Sequence, residues 1–330
     1  MGMRKLLSAL VAGMMVLMVG AVAQAEKLKV AGIYTVPVQQ KWAGTLHRAL
    51  VQAEKDGMID YVFSEKTANT DYVRVMREYA EGGAKLIVGE AFGISREARK
   101  VADDYPGVAF LMGDPGDKHG KNFSVFDNYI HEPCYLMGVI AGSMTKTNKI
   151  GMVGGYPIGE VNRLFHAFME GARSVNPDVE FKVSFIGSWY DPPKAKEFAF
   201  AQVESGVDIL YAERAGVVDA AREKGILAFG NVNDMNKEEN GKDVVVASAL
   251  WHMEIAINNA IKDVKAGTFK AENYKEWTMM QKGGASLSPF YEFDGKIPAA
   301  AKAKVADLTQ KIKAGEFVVN INDEQPKSTF

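Results

Sequence analysis

The alternation of short apolar, β-branched runs with amphipathic stretches, begun at Lys29 and begun again at Lys149, restricts the fold of this chain more than any other feature. In the first half, strands are predicted over 29–34, 61–64, 86–88, 108–112 and 122–126, with helices over 41–56, 70–81 and 94–105. Such β-α-β order calls for a parallel sheet with helices on both faces. The pattern then restarts, with strands over 149–153, 180–186, 209–211, 227–230 and 244–249 and helices over 161–176, 195–204 and 217–224. Two α/β units of similar build, without sequence repeat, predict two Rossmann-like lobes. A helix over 253–266 and the tail after it must be shared between them. We expect 26–148 plus 250–275 to form the first lobe and 149–249 plus 276–330 the second. No low-complexity linker separates them, so short crossovers predict a hinge, and two lobes on a hinge close around something.

The first 25 residues read as a secretory signal peptide. Arg4 and Lys5 give a basic start, 6–22 is apolar, and Ala23-Gln24-Ala25 has the small-residue spacing of a cleavage site. Cleavage after Ala25 is expected, giving an exported, periplasmic chain that is not inserted in a membrane. No cysteine follows the apolar run, so attachment through a lipidated cysteine is not expected. Without that leader the chain has 37 basic and 41 acidic residues, a formal charge of −4. Such a balance offers no electrostatic footprint for nucleic acid. Some 305 residues exceed what one core usually serves, which again favours two lobes. Cys134, the single cysteine, can make neither an internal disulfide nor a thiolate metal site, and Tyr135-Leu136-Met137 beside it predicts a buried helix. A monomer is expected.

In open α/β sheets ligands bind beyond the carboxyl ends of the strands. Tyr34 and Trp42 follow the first strand, Glu90 and Phe92 the third, and Tyr129 lies just beyond the fifth. In the second lobe the strand ends carry Trp189, Glu213, Asp234 and Trp251, with Tyr156, Tyr190, Arg214 and Asn231 nearby. Three of the four tryptophans therefore fall at strand ends. Aromatic faces opposed across a cleft, with carboxylates and amides between them, suit a flat heterocycle bearing exocyclic donors. Stacking on such faces contributes about 1–3 kcal/mol per base in nucleic-acid binders. Packing at the lobe interface is the competing explanation for any one of these rings.

Enzyme signals are poor. The five histidines lack metalloprotease spacing, and neither a nucleophile elbow nor a Walker A sequence is present. GMVGGYPIG at 151–159 is glycine-rich after a strand but lacks the G-x-G-x-x-G order. No metal and no cofactor are expected. Met279-Met280 is expected in a strand, and the charged run 237–242 in a solvated loop.

Several segments resemble the basic membrane protein (BMP, PnrA-like) family of ABC-transporter substrate-binding proteins. GSWYDPPKAKEFA at 187–199 is similar to the family's G-S-W-F-D-P-x-K-x-x-E-x-A segment, and GNVNDMNK at 230–237 to its G-x-x-S-D-M run. FDNYIHEPCYLMGVIAG at 126–142 resembles F-x-x-x-E-x-x-Y-L-x-G-x-x-A, and the stretch from Val246 to Phe269 a late strand-helix ending in x-x-G-T-W. The likeness spans nearly the whole chain after the leader. It implies a type I periplasmic binding protein fold whose cleft holds a purine nucleoside or nucleobase, passed on to a permease and ATPase. By position it implies that Trp42 packs on the base, that Trp189 comes from the S-W-F-D-P segment, and that Asp234 lies near the ligand's polar edge or ribose.

Two departures bear on the ligand. VPVQQKWAG at 36–44 has no carboxylate where nucleoside-binding members carry an acidic D-K-S-F-N-type loop, and Glu213 stands where many relatives have a His-Thr-Asp-like run. A missing ribose clamp and an added indole favour a free nucleobase such as adenine, with Glu90 and Glu213 accepting from its N–H groups. A sugar or another aromatic metabolite is the alternative ligand. A secreted nucleoside-processing enzyme is the alternative of another class.

Overall fold

A computed structural model describes residues 27–330; the predicted signal peptide lies outside them. The first lobe runs β1 (Leu28–Ile33), α1 (Lys41–Lys55), β2 (Ile59–Ser64), α2 (Asn69–Glu81), β3 (Leu86–Glu90), α3 (Ser95–Asp104), β4 (Ala109–Gly113) and β5 (Phe123–Phe126). Its strands are all parallel, in the order β2-β1-β3-β4-β5. Interior strand β4 is buried at every residue, whereas edge strand β2 mixes buried and exposed positions, as one covered face requires.

The second lobe contains α4 (His131–Met144), β6 (Lys149–Gly154), α5 (Gly159–Arg173), β7 (Glu180–Phe185), α6 (Pro192–Glu204), β8 (Ile209–Ala212), α7 (Val217–Lys224), β9 (Leu227–Val232) and β10 (Val245–Trp251). Helix α8 (Glu254–Ala266) returns to pack on α1, after which β11 (Ala285–Leu287) and α9 (Ala299–Ala314) complete the second lobe. The sheet order is β11-β10-β9-β8-β6-β7, parallel except that β11 runs antiparallel on β10. Local rules are visible at α6, where Asp191 Oδ1 accepts from Lys194 N at 3.1 Å and Pro192 takes the first helical position. Edge strand β7 is covered by the C-terminal tail, with Thr329 N donating to Phe181 O at 2.9 Å.

The chain passes between lobes between β5 and α4, between β10 and α8, and between Asn273 and Thr278. The first passage comes earlier than the boundary expected at 148. Helix α4 packs on α5 and α9 of the second lobe, and its approach to α5 is backbone to backbone. A Cβ at Gly138 would lie 2.1 Å from Phe168 O, and one at Gly171 2.0 Å from Tyr135 O. Within α4, Cys134 is fully buried beside the Tyr211 hydroxyl at 3.2 Å, and burial pushes its thiol up to about 12. Met279 and Met280 do not form a strand. Met279 joins two consecutive 3₁₀ turns and Met280 begins the second, and Gly284 packs directly on the Trp277 backbone.

Candidate ligand-binding cleft

A cavity of about 430 Å³ lies between the lobes, beyond the carboxyl ends of both sheets. Trp42, in the first turn of α1, and Trp189, in the loop after β7, line it from opposite lobes. Each indole rests over a glycine that leaves it room. A Cβ at Gly113, the last residue of β4, would lie 2.8 Å from Trp42 Cη2; one at Gly155, just after β6, would lie 2.9 Å from Trp189 Cε3. The two lobes thus seat their tryptophans in the same way.

Trp42 is held by three further rings. Phe126 stacks at 5.7 Å between centroids, Trp251 tilts against it at 5.3 Å and Phe92 meets it edge-on at 5.9 Å. Only 7 % of its surface is exposed. Trp189 is half-buried, with Tyr156 at 4.8 Å on one side and the Arg214 guanidinium 5.3 Å over its ring. Arg214 Nη1 also donates to Trp189 O at 2.7 Å, which fixes the loop that carries the indole.

The acids of the cleft divide by what already holds them. Glu90 Oε1 accepts from Thr35 N at 2.6 Å and Thr35 Oγ1 at 2.7 Å. Burial raises the Glu90 pKa, and these two bonds oppose that rise. Glu213 is committed: Oε2 accepts from Gly155 N at 3.0 Å and Arg214 Nε at 2.6 Å, and Oε1 from Arg214 Nη2. Glu213, expected to accept from a ligand, thus already accepts three hydrogen bonds, two of them from its chain neighbour. Glu160, in the first turn of α5, lines the cavity as well, and burial beside Asp127 pushes its carboxyl up to about 8.

Of the residues singled out in the sequence, Trp42, Glu90, Phe92 and Trp189 line the main cavity, while Glu213 lines a narrower pocket adjoining it. Trp251 sits behind Trp42 as support. Tyr34 points away, fully buried with its hydroxyl 2.8 Å from that of Tyr61. Tyr129 lies at the hinge, its ring 4.2 Å from the Arg163 guanidinium and its backbone N donating to Thr278 Oγ1 at 3.0 Å. Asp234 accepts from the Tyr291 hydroxyl at 2.5 Å and pairs with Lys237, away from both pockets. Thr35, Asn69 and Glu160 line the cavity and were not singled out. Glu160 follows β6 by only six residues, so the strand-end rule reaches it, behind a glycine-rich turn.

Beneath the cleft, Arg163 ties the first passage to the second lobe. Its Nη2 donates to Asp127 Oδ2 at 2.8 Å, Nη1 to Asn128 O at 2.9 Å and Nε to Asp323 Oδ1 at 3.0 Å. Burial and the Arg163 charge together lower His131 beside it to about 4, so that ring is neutral at physiological pH. At the rim the lobes touch: Lys41 pairs with Glu238, and Arg48 Nη2 donates to Asn233 Oδ1 at 2.6 Å. The charged run after β9 is thus not simply solvated, since Glu238 reaches across to the other lobe. Among the described residues no group of three His, Cys, Asp or Glu side chains could hold a metal ion, and no helix is long and apolar enough to cross a membrane.

Two parallel-sheet lobes, three passages and a cleft lined from both sides define a bilobal solute-binding protein of the type I kind. A solved ABC transporter solute-binding protein from Aeropyrum pernix K1 superposes with a TM-score of 0.76 at 20 % identity, over 89 % of this chain and 94 % of that one. The chain belongs to the family described as ABC transporter substrate-binding protein PnrA-like, which matches residues 31–321. A purine-binding protein of Brucella abortus (strain 2308) is 33 % identical, over 91 % of this chain and 85 % of its own. A Haloferax volcanii protein whose name proposes glucose as its ligand is 30 % identical, over 91 % of this chain and 76 % of its own. Membership makes this an extracytoplasmic substrate-binding subunit that works with a permease and ATPase complex.

Proposed function

We propose that the interlobe cleft binds a purine, with a free nucleobase such as adenine favoured over a nucleoside, and delivers it from the periplasm to an ABC importer. In this reading a signal peptide cleaved after Ala25 exports the chain, which acts as a monomer. The observation that carries the ligand assignment is the pair of indoles, Trp42 and Trp189, facing one cavity from opposite lobes. A planar base between two such faces gains stacking on each, and it gains both only when the lobes are closed. The preference for a base over a nucleoside follows from the loop after β1. It contributes Thr35, Val36, Pro37 and Gln40 to the cavity and no carboxylate for ribose hydroxyls. Gln40 Oε1 is itself occupied, accepting from Ala43 N at 2.9 Å as the cap of α1. The purine-binding name of the Brucella relative supports the same reading.

The name of the Haloferax relative supports a second reading, a sugar stacked on the same indoles. Thermal denaturation in the presence of adenine, guanine, hypoxanthine, adenosine and glucose separates the two. Ligand at about 100 times Kd adds about 2.7 kcal/mol, which for a chain of this size raises Tm by roughly 5 °C. We expect adenine to give the largest rise. Stabilisation by glucose and by no purine would replace the purine reading with the sugar one.

The seat of Trp189 provides a further prediction. Gly155→Ala places a methyl against the indole, and the ring gives way towards the cavity. Overpacking of this kind costs about 1–3 kcal/mol, so titration calorimetry should show adenine bound about fivefold more weakly or worse.

A further inference from the structure

Glu160 stands in the first turn of α5. It lines both the main cavity and the narrower pocket beside it, and among the described residues no hydrogen bond or ion pair engages its carboxyl. The other cleft acids differ: Glu213 is held by Arg214 and Gly155, and Glu90 has one oxygen held by Thr35. Glu160 is thus the acid with both oxygens uncommitted, on the lobe opposite Glu90.

Its surroundings favour the protonated form. On its own helix stands Arg163, whose donors serve Asp127, Asn128 O and Asp323. Asp127 faces it from the first passage, and Glu213 with Arg214 from the segment after β8. Asp323 of the C-terminal tail packs on Gly159, where a Cβ would lie 3.0 Å from its Cγ. Asp191, at the start of α6, lines the narrower pocket with it. The first lobe presents Glu90 across the cavity and Lys41, which is paired with Glu238. Burial and the charge on Asp127 push Glu160 up to about 8, against the opposing pull of Arg163. Two ionised carboxylates would both demand donors from a ligand. One acid and one carboxylate instead match a mixed edge, such as the adjoining amino group and ring nitrogen of adenine.

We propose that Glu160 is a specificity residue that donates a hydrogen bond from its neutral carboxyl to a ring nitrogen of the bound purine, opposite the accepting carboxyl of Glu90. This inference rests on the purine reading. Binding then requires the proton on Glu160, so affinity is constant below the Glu160 pKa and falls above it.

Titration calorimetry of the mature protein with adenine between about pH 6 and 9 tests this, with the wild-type Kd flat up to about pH 8 and then rising by up to about tenfold per pH unit. Glu160→Gln keeps an N–H donor and should bind within about threefold of wild type at pH 7, with a Kd that no longer changes across that range. Glu160→Leu should bind about tenfold more weakly at pH 7. A second readout needs no ligand. The raised pKa means that stability from the neutral group is fully present below its ordinary value of 4.5 and is lost as pH rises through about 8. Glu160→Gln should remove that part of the decline in Tm. A flat wild-type Kd, or a Gln variant with the wild-type pH dependence, would overturn the proposal. Absence of adenine binding at pH 6 by the wild-type protein would instead overturn the purine reading itself.

Discussion

Trp42→Ala is expected to weaken purine binding by about tenfold or more and to lower the stability of the folded protein as well. Stacking on an aromatic face contributes about 1–3 kcal/mol per base, and in the proposed site Trp42 supplies one of the two faces. The stability loss follows from where the ring sits. It is 7 % exposed and packed among Phe92, Phe126 and Trp251, so truncation opens a cavity in the first-lobe core. Deleting a buried tryptophan typically costs about 3–5 kcal/mol. Trp189→Ala separates the two effects, because that ring is only half-buried. It should lose affinity to a similar extent with a much smaller change in Tm. Calorimetry with adenine and thermal denaturation of both variants check this pair of outcomes. Wild-type affinity in Trp189→Ala would assign that indole to packing and remove one platform from the account.

Arg163→Met should lower stability about as much as Trp42→Ala, but for an electrostatic reason. The guanidinium is 3 % exposed and holds Asp127 and Asp323 together with the backbone of Asn128. Methionine preserves much of the side-chain volume and leaves Asp127 buried without its cation. Breaking a buried pair in this way costs about 3–5 kcal/mol, which corresponds to a fall in Tm of roughly 5–9 °C. The pH dependence identifies the cause. Asp127 already lies above the usual aspartate range because burial outweighs the pull of Arg163, and without Arg163 it must rise further. The deficit should therefore be large at pH 7 and shrink as pH falls and Asp127 takes up a proton. Asp127→Asn in the same background should recover part of the loss. An equal deficit at pH 7 and pH 5 would point to lost packing instead.

The architecture was legible in the sequence because most strands are short apolar runs closed by polar or glycine-rich residues, and most connections between them are long enough for one helix. Helix α4 was misplaced for a reason that also lies in its residues. Buried along nearly its whole length, it lacks the polar face that would show which lobe it covers, and its passage near Asp127 carries no glycine or proline mark. At the cleft, the strand-end rule found both indoles and Glu90, whose positions follow from topology. It could not rank Glu213 against Glu160, because that ranking depends on which acid has an arginine within reach. Arg214 is adjacent in sequence to Glu213 and satisfies it, whereas Arg163, on the helix of Glu160, is turned to Asp127. Tyr34 differs for a similar reason: it directly follows β1, but its hydroxyl meets Tyr61 on the neighbouring strand.

In the proposed closed state a planar base is clamped between two indoles contributed by different lobes. The structure of the mature protein crystallised with adenine tests this most directly. The predicted result is the ring between Trp42 and Trp189, with its polar edge between the carboxyls of Glu90 and Glu160. Adenine bound elsewhere, or a cleft that excludes it while taking a hexose, would contradict the account.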